Sequence, residues 1–261
     1  MKQRSTALVG FSGFVGSNLR RAHDFSGEFN SQNIDAIRGQ AFDRIVCCGV
    51  PASKWIANKE PAADRESIRR LVDALRETEC DEFILISTID FYAHPIAVDE
   101  EDGGARPGDE PYGRHRRELE TELRSFLPLV RAIRLPALFG SGLKKNALFD
   151  LIHRHRTEFI NPASTFQWYS LADLPDDIER VSEADLKIVN LTSAPIAVQA
   201  IVDRFFPDAV VGPSDAATAS VYDVRSKWAD LWGGQDGYMY SSSAMMARMQ
   251  EFITSQGAGA E

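Results

Sequence analysis

A short apolar run that ends in a glycine-rich loop constrains how this chain begins to fold. The run Ala7–Val9 is typical of a buried strand, and a helical pattern starts at Phe14 and continues to about Ala22. Between them lie three glycines with the spacing GxxGxxG, at Gly10, Gly13 and Gly16. A strand, a tight glycine turn and a helix in this order form the first part of a β-α-β unit, in which the next strand runs parallel to the first.

The glycine loop has the chemistry of a pyrophosphate site. Gly10 permits the tight turn, Gly13 lets the backbone approach a phosphate, and Gly16 allows close helix–strand packing. The N–H groups and the dipole at the helix start favour a negative charge. The loop therefore predicts a nicotinamide dinucleotide, NAD or NADP. The acidic residue that binds the adenosine ribose is expected about 20 residues on, where Asn30 and Ser31 stand, so both cofactors stay open.

Strands and helices alternate over the first half of the chain. Short apolar runs predict strands near Glu28–Phe29 and at Arg44–Cys48, Phe83–Ser87 and Leu129–Leu135. Amphipathic patterns predict helices at Asp64–Glu77 and Tyr112–Phe126, and a loop rich in Pro, Gly and acidic residues covers 94–111. This order predicts an α/β fold with a Rossmann-type doubly wound parallel sheet.

After about Gly140 the pattern loosens into shorter elements. The predicted helices are Leu148–His155, Leu174–Val181, Pro195–Phe205 and Met245–Ile253, and the predicted strands are Phe166–Tyr169 and Ile188–Leu191. We therefore expect residues 1–140 to form a dinucleotide-binding Rossmann domain. Residues 141–261 are expected to form a small substrate lobe, together with the remaining sheet elements and a C-terminal helix.

Composition and charge narrow the class of protein. The 261 residues carry a net charge of −9, and because an acidic surface repels phosphates, no nucleic-acid partner is expected. Three cysteines without metal-ligand spacing indicate a reducing compartment, and no metal site is expected. The chain shows no signal-peptide pattern and no apolar stretch near the ~18 residues of a membrane span, which predicts a cytoplasmic location and no membrane partner.

Two further patterns have both a functional and a structural interpretation. Phe166, Trp168 and Tyr169 either stack on a base or sugar or form part of the lobe core. The pair Lys144–Lys145 either contacts a substrate phosphate or lies in an exposed loop. Cys47–Cys48, in contrast, is expected to be strand core rather than a redox pair.

Four segments, in the same order along the chain, resemble the extended short-chain dehydrogenase/reductase family of nucleotide-sugar epimerases and dehydratases. The first is the GxxGxxG loop. The second, Ile86–Tyr92, resembles the strand-end Ser/Thr motif of that family, and the third, Tyr112–Arg116, resembles its Tyr-x-x-x-Lys helix. The fourth, Arg134–Gly142, resembles the segment that leads into the substrate lobe. The resemblance covers most of the chain.

The resemblance implies an NAD(P)-dependent oxidoreductase, epimerase or dehydratase whose substrate is a nucleotide-linked sugar. It implies that Tyr112 is the general acid/base, and that Arg116 replaces the Lys beside the nicotinamide ribose. Thr88, or alternatively Ser87, would hydrogen-bond the substrate oxygen, and Asp90 falls where dehydratases of the family carry an acid. The residues expected around the cofactor are Gly10, Phe11, Ser12, Gly13, Phe14, Val15, Gly16, Asn30, Cys48, Gly49, Tyr112, Arg116 and Pro136. The oligomeric state stays open, with a homodimer as one option.

Arginine in place of lysine is the departure from the family pattern. Tyr112 and Arg116 are four residues apart on one helix face, so the cation is expected to lower the pKa of Tyr112 from its ordinary value of about 10. Arginine, however, is planar and does not release its proton in proteins. Two functions therefore stand: an enzyme in which Tyr112 moves a proton during hydride transfer, or a catalytically degenerate NAD(P)-binding regulatory or partner protein.

Overall fold

The computed structural model describes residues 5–103 and 109–257 of the chain. The strands are β1 Thr6–Val9, β2 Gly27–Phe29, β3 Ala41–Cys47, β4 Glu79–Thr88, β5 Ile96–Val98, β6 Val130–Leu135, β7 Ala137–Phe139, β8 Thr165–Phe166, β9 Trp168–Ser170, β10 Ile188–Asn190, β11 Ile196–Ala197 and β12 Asp223–Val224. The α-helices are α1 Phe14–Ala22, α2 Lys54–Lys59, α3 Pro61–Leu75, α4 Pro111–Phe126, α5 Ala147–His153, α6 Leu174–Glu183, α7 Val198–Phe205 and α8 Ser242–Gly257. Short 3-10 helices occupy Ile34–Ile37, Ile89–Phe91, Thr157–Phe159 and Ala229–Trp232.

The chain divides into two compact units. Unit 1 contains Met1–Ala93, Asp102–Arg134 and Asp173–Val189, as far as these segments are described. Unit 2 contains His94–Glu101, Leu135–Ala172 and Asn190–Glu261, with the same restriction.

A parallel sheet of six strands forms the centre of unit 1, in the order β10-β6-β4-β3-β1-β2. Val9 lies opposite Cys47 on one side and Phe29 on the other, so the carboxyl ends of β1, β2 and β3 meet at one edge. Because β2 and β3 lie on opposite sides of β1, the strand order reverses there, and ligands of such sheets bind in the crevice at this point. The predicted fold class is confirmed.

Apolar residues of the sheet and of two helices form the core of unit 1. Ile45 of β3 and Phe83 of β4 are fully buried, as expected for a parallel sheet covered on both faces. Val72 of α3 and Leu119 of α4 belong to the same apolar cluster. The amphipathic patterns of these two helices are therefore explained by burial of one face in this core.

Unit 2 is built around three two-stranded sheets and the helices α5, α7 and α8. β7 pairs with β9 in parallel, β8 with β11 antiparallel, and β5 with β12 in parallel. Trp168 and Tyr169 are at most 1% exposed, and Trp168 packs with Ile201 and Met249 in a second apolar core. This burial supports the interpretation of the aromatic residues as lobe core. The second pattern, Lys144–Lys145, lies in an exposed loop.

Some elements differ from those that the sequence predicts. No pattern predicts α2, because it spans only six residues and buries only Ala57. β5 lies within the predicted loop 94–111, of which 104–108 fall outside the described residues. The units also do not follow one boundary at residue 140, because α6 and the segment up to Val189 return to unit 1, where β10 joins the sheet.

Buried charges connect the three central strands of the sheet. Glu82 of β4 accepts hydrogen bonds from Nε of Arg44 on β3 and Nε of Arg131 on β6, each 2.7 Å long. Burial by itself would raise the pKa of the Glu82 carboxyl, but the hydrogen bonds from Arg131 and Arg44 outweigh burial and lower the pKa to about 2. The cluster therefore ties β3, β4 and β6 together through one carboxylate.

Glu82→Gln is expected to lower the free energy of unfolding by about 3–5 kcal/mol, because it removes the buried carboxylate that two buried guanidinium groups share. Arg44 is then left with the more exposed Glu179 and Arg131 with the more exposed Asp185. Urea unfolding at neutral pH measures the change, and Glu79→Gln, at an exposed position of the same strand, is the control. Equal stability of Glu82→Gln and wild type would contradict this role.

The same carboxyl predicts a pH dependence. Its pKa is about 2 in the folded chain and about 4.3 when unfolded, so its stabilising contribution is complete above the unfolded value. Wild type should lose this contribution as the pH falls from about 4 to about 2, and Glu82→Gln should lack that part of the loss.

Candidate cofactor and catalytic site

The turn after β1 brings the ends of three strands into backbone contact. The Gly10 amide donates to the Phe29 carbonyl at 2.6 Å, and the Cys48 amide donates to the Val9 carbonyl at 2.7 Å. Gly10 has φ +89°, in the left-handed region, and a Cβ there would lie 2.6 Å from backbone atoms of Cys48 and Gly49. Glycine satisfies both requirements at residue 10, because it tolerates positive φ and has no Cβ.

The start of α1 follows this turn directly. Gly13 occupies the N-cap position, no side chain among the described residues caps the helix, and its first turn contains no acidic residue. A Cβ on Gly16 would lie closer than 3.0 Å to the Gly10 carbonyl oxygen, so glycine lets the helix pack closely on the turn. A helix start with available N–H groups and no acidic side chain is suited to a phosphate.

Asn30 follows β2, at the place where dinucleotide-binding folds often carry an acidic residue. Its Nδ2 donates to Ser12 Oγ in the glycine loop at 3.2 Å, and its Oδ1 accepts from the Gln32 amide at 2.9 Å. The side chain therefore contacts the loop and carries no charge. It neither attracts nor repels a 2′-phosphate electrostatically.

The cysteines beside the turn have a structural role. Cys47 is fully buried, and burial raises the pKa of its thiol to about 11. Burial also raises the pKa of Cys48 well above its ordinary value. Both thiols stay protonated near neutral pH and are poor nucleophiles. Of the remaining residues predicted at the cofactor, Pro136 lies between β6 and β7 in unit 2, and its role stays a prediction.

Tyr112 lies in the first turn of α4, beside the carboxyl end of β4. Its side chain lies beside Thr88, the last residue of β4, and its amide donates to Asn58 Oδ1 at 2.9 Å. A Cβ on Gly113 would lie closer than 3.0 Å to the Asp90 carbonyl oxygen. The absence of a side chain at Gly113 therefore lets α4 approach the strand end closely enough for the Tyr112–Thr88 contact.

Burial dominates the proton affinity of Tyr112. The side chain is only 7% exposed, and this burial raises the pKa of the phenol above its ordinary value. The charge of Arg116 lowers the pKa, the Asp90 carboxylate raises it, and the Thr88 hydroxyl and the charge of Lys54 lower it by smaller amounts. Arg116 lowers this pKa as expected, but the predicted net lowering is wrong, because desolvation of the phenolate outweighs the nearby cation. Tyr112 is a protonated acid at neutral pH.

Arg116 is a buried cation with partners inside the chain. Its Nη1 and Nη2 donate to the two oxygens of Asp64 at 2.6 and 3.0 Å, and Nη2 also donates to the Pro51 carbonyl. Nη1 donates to the Tyr112 carbonyl at 3.3 Å, and the guanidinium carbon lies 3.9 Å from the centre of the Tyr112 ring. Four of the five N–H groups of Arg116 are therefore engaged, and its contact with a ribose stays a prediction.

The two candidate hydroxyl groups at the end of β4 have different partners. Ser87 Oγ donates to Glu120 Oε1 at 2.7 Å, and Glu120 also accepts from Arg134 Nη2 at 2.7 Å. Thr88 Oγ1, in contrast, accepts from the Asp90 amide at 3.1 Å, and the Thr88 side chain lies beside Tyr112. Thr88 is therefore the hydroxyl beside the candidate acid/base, and Ser87 belongs to a buried charge network.

Two residues of the site, Lys54 and Asp64, are not indicated by any sequence motif. Lys54 of α2 contacts Asp90, with 2.9 Å between Nζ and Oδ1, and Asp64 of α3 neutralises Arg116. These partners are 36 and 52 residues apart in sequence, so no local pattern relates them. Gly113 stands within the Tyr112–Arg116 motif, where a glycine in a helix is itself a signal of close packing.

The described part of the chain shows neither a metal-binding cluster nor a membrane-spanning helix. Within residues 5–103 and 109–257, no group of three or more His, Cys, Asp or Glu side chains is arranged to hold a metal ion. No helix in the same ranges combines the length and the apolar character needed to cross a membrane.

Known proteins resemble this chain in fold rather than in sequence. No family model and no curated protein matches it. A UDP-N-acetylglucosamine 4-epimerase from Methanobrevibacter ruminantium M1, in complex with UDP-N-acetylmuramic acid, matches with 13% identity and a TM-score of 0.76, over 97% of this chain and 98% of its own. TunA, an NAD-dependent NDP-hexosamine 5,6-dehydratase involved in tunicamycin biosynthesis, matches with 16% identity and a TM-score of 0.73, over 97% and 96%. A dTDP-4-dehydrorhamnose reductase from Bacillus anthracis str. Ames, in complex with NADP, matches with 14% identity and a TM-score of 0.74, over 97% and 99%. At these identities the likeness shows a shared fold.

Arg116→Met is expected to lower the free energy of unfolding by about 3–5 kcal/mol, because it leaves the buried Asp64 carboxylate without its guanidinium partner. Arg114→Met, at an exposed position of the same helix, is the control for loss of an arginine. The double variant Asp64→Asn/Arg116→Met should lose less stability than the sum of the two single variants. Urea unfolding measures wild type, the three single variants Arg116→Met, Asp64→Asn and Arg114→Met, and the double variant. If Arg116→Met is as stable as the control, the ion pair does not support the fold.

Proposed function

We propose that this chain is an NAD(P)-dependent enzyme that acts on a nucleotide-linked sugar, as an epimerase, a reductase or a dehydratase. The observation that carries the proposal is the position of Tyr112 beside Thr88 at the carboxyl end of β4, where Gly113 of α4 packs against the Asp90 carbonyl. In a parallel sheet this end lies on the same edge as the turn at Gly10. A phenolic acid and a hydroxyl therefore share an edge with a loop suited to a pyrophosphate.

The residues of the turn fit a dinucleotide. Glycine at 10 and 16 leaves no Cβ between the turn and the helix start, and the first turn of α1 has no acidic residue to repel a phosphate. The residues proposed to hold NAD or NADP are the Gly10–Gly16 loop, Asn30, Cys48 and Gly49. When bound, the nicotinamide supplies or accepts a hydride. The NAD-dependent dehydratase and the NADP complex of the reductase, which share this fold, support the choice of cofactor.

Tyr112 would move the proton at the substrate oxygen. In the reducing direction the phenol donates its proton to a carbonyl oxygen while the carbonyl carbon gains the hydride, so a ketone becomes an alcohol; the oxidising direction reverses both transfers. The raised pKa keeps the proton on Tyr112 at neutral pH, which favours the donor role. Thr88 would hydrogen-bond the same oxygen and hold it at the phenol.

The substrate class is inferred from the proteins that share the fold. Their substrates and ligands are nucleotide-linked sugars, including UDP-N-acetylmuramic acid and dTDP-4-dehydrorhamnose. Such sugars carry hydroxyl and keto groups. The carbon of such a group can exchange a hydride while its oxygen exchanges a proton, and the Tyr112–Thr88 pair is suited to the proton transfer. Asp90 stays the candidate acid for a dehydratase.

One observation favours a second function. The engagement of Arg116 with Asp64 leaves the motif without a cation directed at a ligand, as in a catalytically degenerate NAD(P)-binding regulatory or partner protein. The two functions differ in turnover and agree in cofactor binding.

The compartment and the partners are the same for both proposed functions. The three free cysteines support a reducing, cytoplasmic compartment, and the net charge of −9 disfavours nucleic acid as a partner. A homodimer stays a prediction.

Gly13→Val is expected to weaken NAD⁺ and NADP⁺ binding by about tenfold or more, because a side chain there blocks the approach of a pyrophosphate. The fold should tolerate the change, since a Cβ on Gly13 meets only the Gly10 carbonyl oxygen, at 3.3 Å. Isothermal titration calorimetry measures both affinities, and Gly103→Val, where an added Cβ has no neighbour within 4 Å, is the control. Unchanged affinity in Gly13→Val would place the cofactor away from this loop.

Tyr112→Phe removes only the phenolic hydroxyl, and it is expected to lower kcat by about 10²–10⁴ while cofactor affinity stays nearly unchanged. Turnover is assayed on UDP-glucose, UDP-N-acetylglucosamine and dTDP-4-dehydrorhamnose, with product analysis by NMR. Tyr238→Phe, whose hydroxyl binds Asp223 in unit 2, is the control for loss of a phenol. Full turnover by Tyr112→Phe would remove Tyr112 from the mechanism. If wild type binds cofactor and converts none of the panel, the non-catalytic function becomes the better description.

A further inference from the structure

The two cations near Tyr112 differ in their surroundings. The Arg116 side chain is 4% exposed and paired with Asp64, and its proton is not released in proteins. The Lys54 side chain is 42% exposed and carries a compact ammonium on a flexible stem. Of the two, Lys54 is the cation that solvent reaches and whose direction can adjust to a charge that forms nearby.

α2 holds Lys54 next to the candidate acid/base. Asn58, four residues after Lys54 and therefore on the same helix face, accepts a hydrogen bond from the Tyr112 amide at 2.9 Å. The Lys54 ammonium lies 2.9 Å from Asp90 Oδ1 and 3.3 Å from Glu110 Oε2. Asp90 follows β4 closely, and Glu110 directly precedes α4. Lys54 therefore contacts both segments that carry the Tyr112–Thr88 pair.

We infer that Lys54, which lies outside the Tyr-x-x-x-Arg motif, is a positioning residue that supplies the solvent-accessible cation beside Tyr112. With Asp90 it forms the ion pair that sets the charge around the Tyr112 hydroxyl. This role deepens the proposed function and rests on it. The charged groups that face Tyr112 are Arg116 of α4, Asp90 of the 3-10 helix and Lys54 of α2.

The expected effect of Lys54 follows from the sign of its neighbours. The negative charge of Asp90 disfavours the phenolate form of Tyr112, and Lys54 forms an ion pair with the Asp90 carboxylate. Removal of the Lys54 charge takes this cation away from the Asp90 carboxylate and also removes a direct attraction for the phenolate. Both changes raise the proton affinity of Tyr112, which opposes its role as a base when an alcohol is oxidised.

The test measures the ionisation of residue 112 without a need for turnover. Tyr112 is replaced by difluorotyrosine, whose phenol ionises at lower pH than that of tyrosine, and its titration is followed by ¹⁹F NMR in the full-length chain. The label is combined with Lys54→Met, with Lys54→Arg, and with Lys59→Met as the matched control. Lys59 lies on the same short helix, where its ammonium stands over the Trp55 ring instead of an acidic group at the site.

Lys54→Met should raise the midpoint of the residue 112 titration by about one pH unit, Lys54→Arg should keep it close to that of the parent, and Lys59→Met should leave it unchanged. A Lys54→Met midpoint equal to that of Lys59→Met would overturn the inference. An equal shift in Lys54→Arg and Lys54→Met would also overturn it, because charge would then not be the cause.

Calorimetry with NAD⁺ and NADP⁺ on wild type separates the two levels of the proposal. If wild type binds neither cofactor, the proposed function fails, and the inference about Lys54 loses its basis. If wild type binds a cofactor and the titration does not respond to Lys54→Met, only the inference fails.

Discussion

The buried ion pair between Arg116 and Asp64 is the interaction on which the geometry around Tyr112 depends. It joins α3 to α4, and through the Pro51 carbonyl it also holds the segment between β3 and α2. A buried charge pair offsets its desolvation cost only when further hydrogen bonds satisfy both groups. Here His115 contacts the same carboxylate, and the guanidinium lies over the ring of Tyr112. The arginine thus holds Tyr112, the candidate acid/base, in place, and it uses for this the N–H donors that would otherwise be available to a ribose.

Close backbone approach produces the second constraint on the site. The turn at Gly10 lies against Cys48 and Gly49, and α4 lies against the Asp90 carbonyl at Gly113. Both contacts occur at the carboxyl edge of the parallel sheet, where the strand order reverses around β1. Packing of this edge therefore brings the glycine turn at Gly10, which is suited to a phosphate, and the phenol of Tyr112 to the same edge of the sheet in unit 1. The chemistry proposed for the chain follows from that arrangement.

The sequence predicts the centre of the sheet well, because β1 and the carboxyl-terminal parts of β3 and β4 are apolar runs between clear breaks. It does not predict α2, which is short and buries one residue, and it therefore does not indicate Lys54. The choice between Ser87 and Thr88 depends on Glu120, a residue far along the chain that engages Ser87. The pKa of Tyr112 also depends on tertiary burial, which the i, i+4 spacing with Arg116 does not express. Motifs locate the candidate catalytic residues, whereas partners far along the chain determine their pKa and whether their hydroxyl groups are already hydrogen-bonded.

The most direct test is a crystal structure of the chain grown with NAD⁺ or NADP⁺. We expect the pyrophosphate within hydrogen-bond distance of the backbone N–H groups in the first turn of α1, and the nicotinamide on the side of the sheet edge that carries the Tyr112 hydroxyl. A cofactor bound elsewhere on the chain, or one whose nicotinamide lies far from Tyr112, would contradict a hydride-transfer site at this edge.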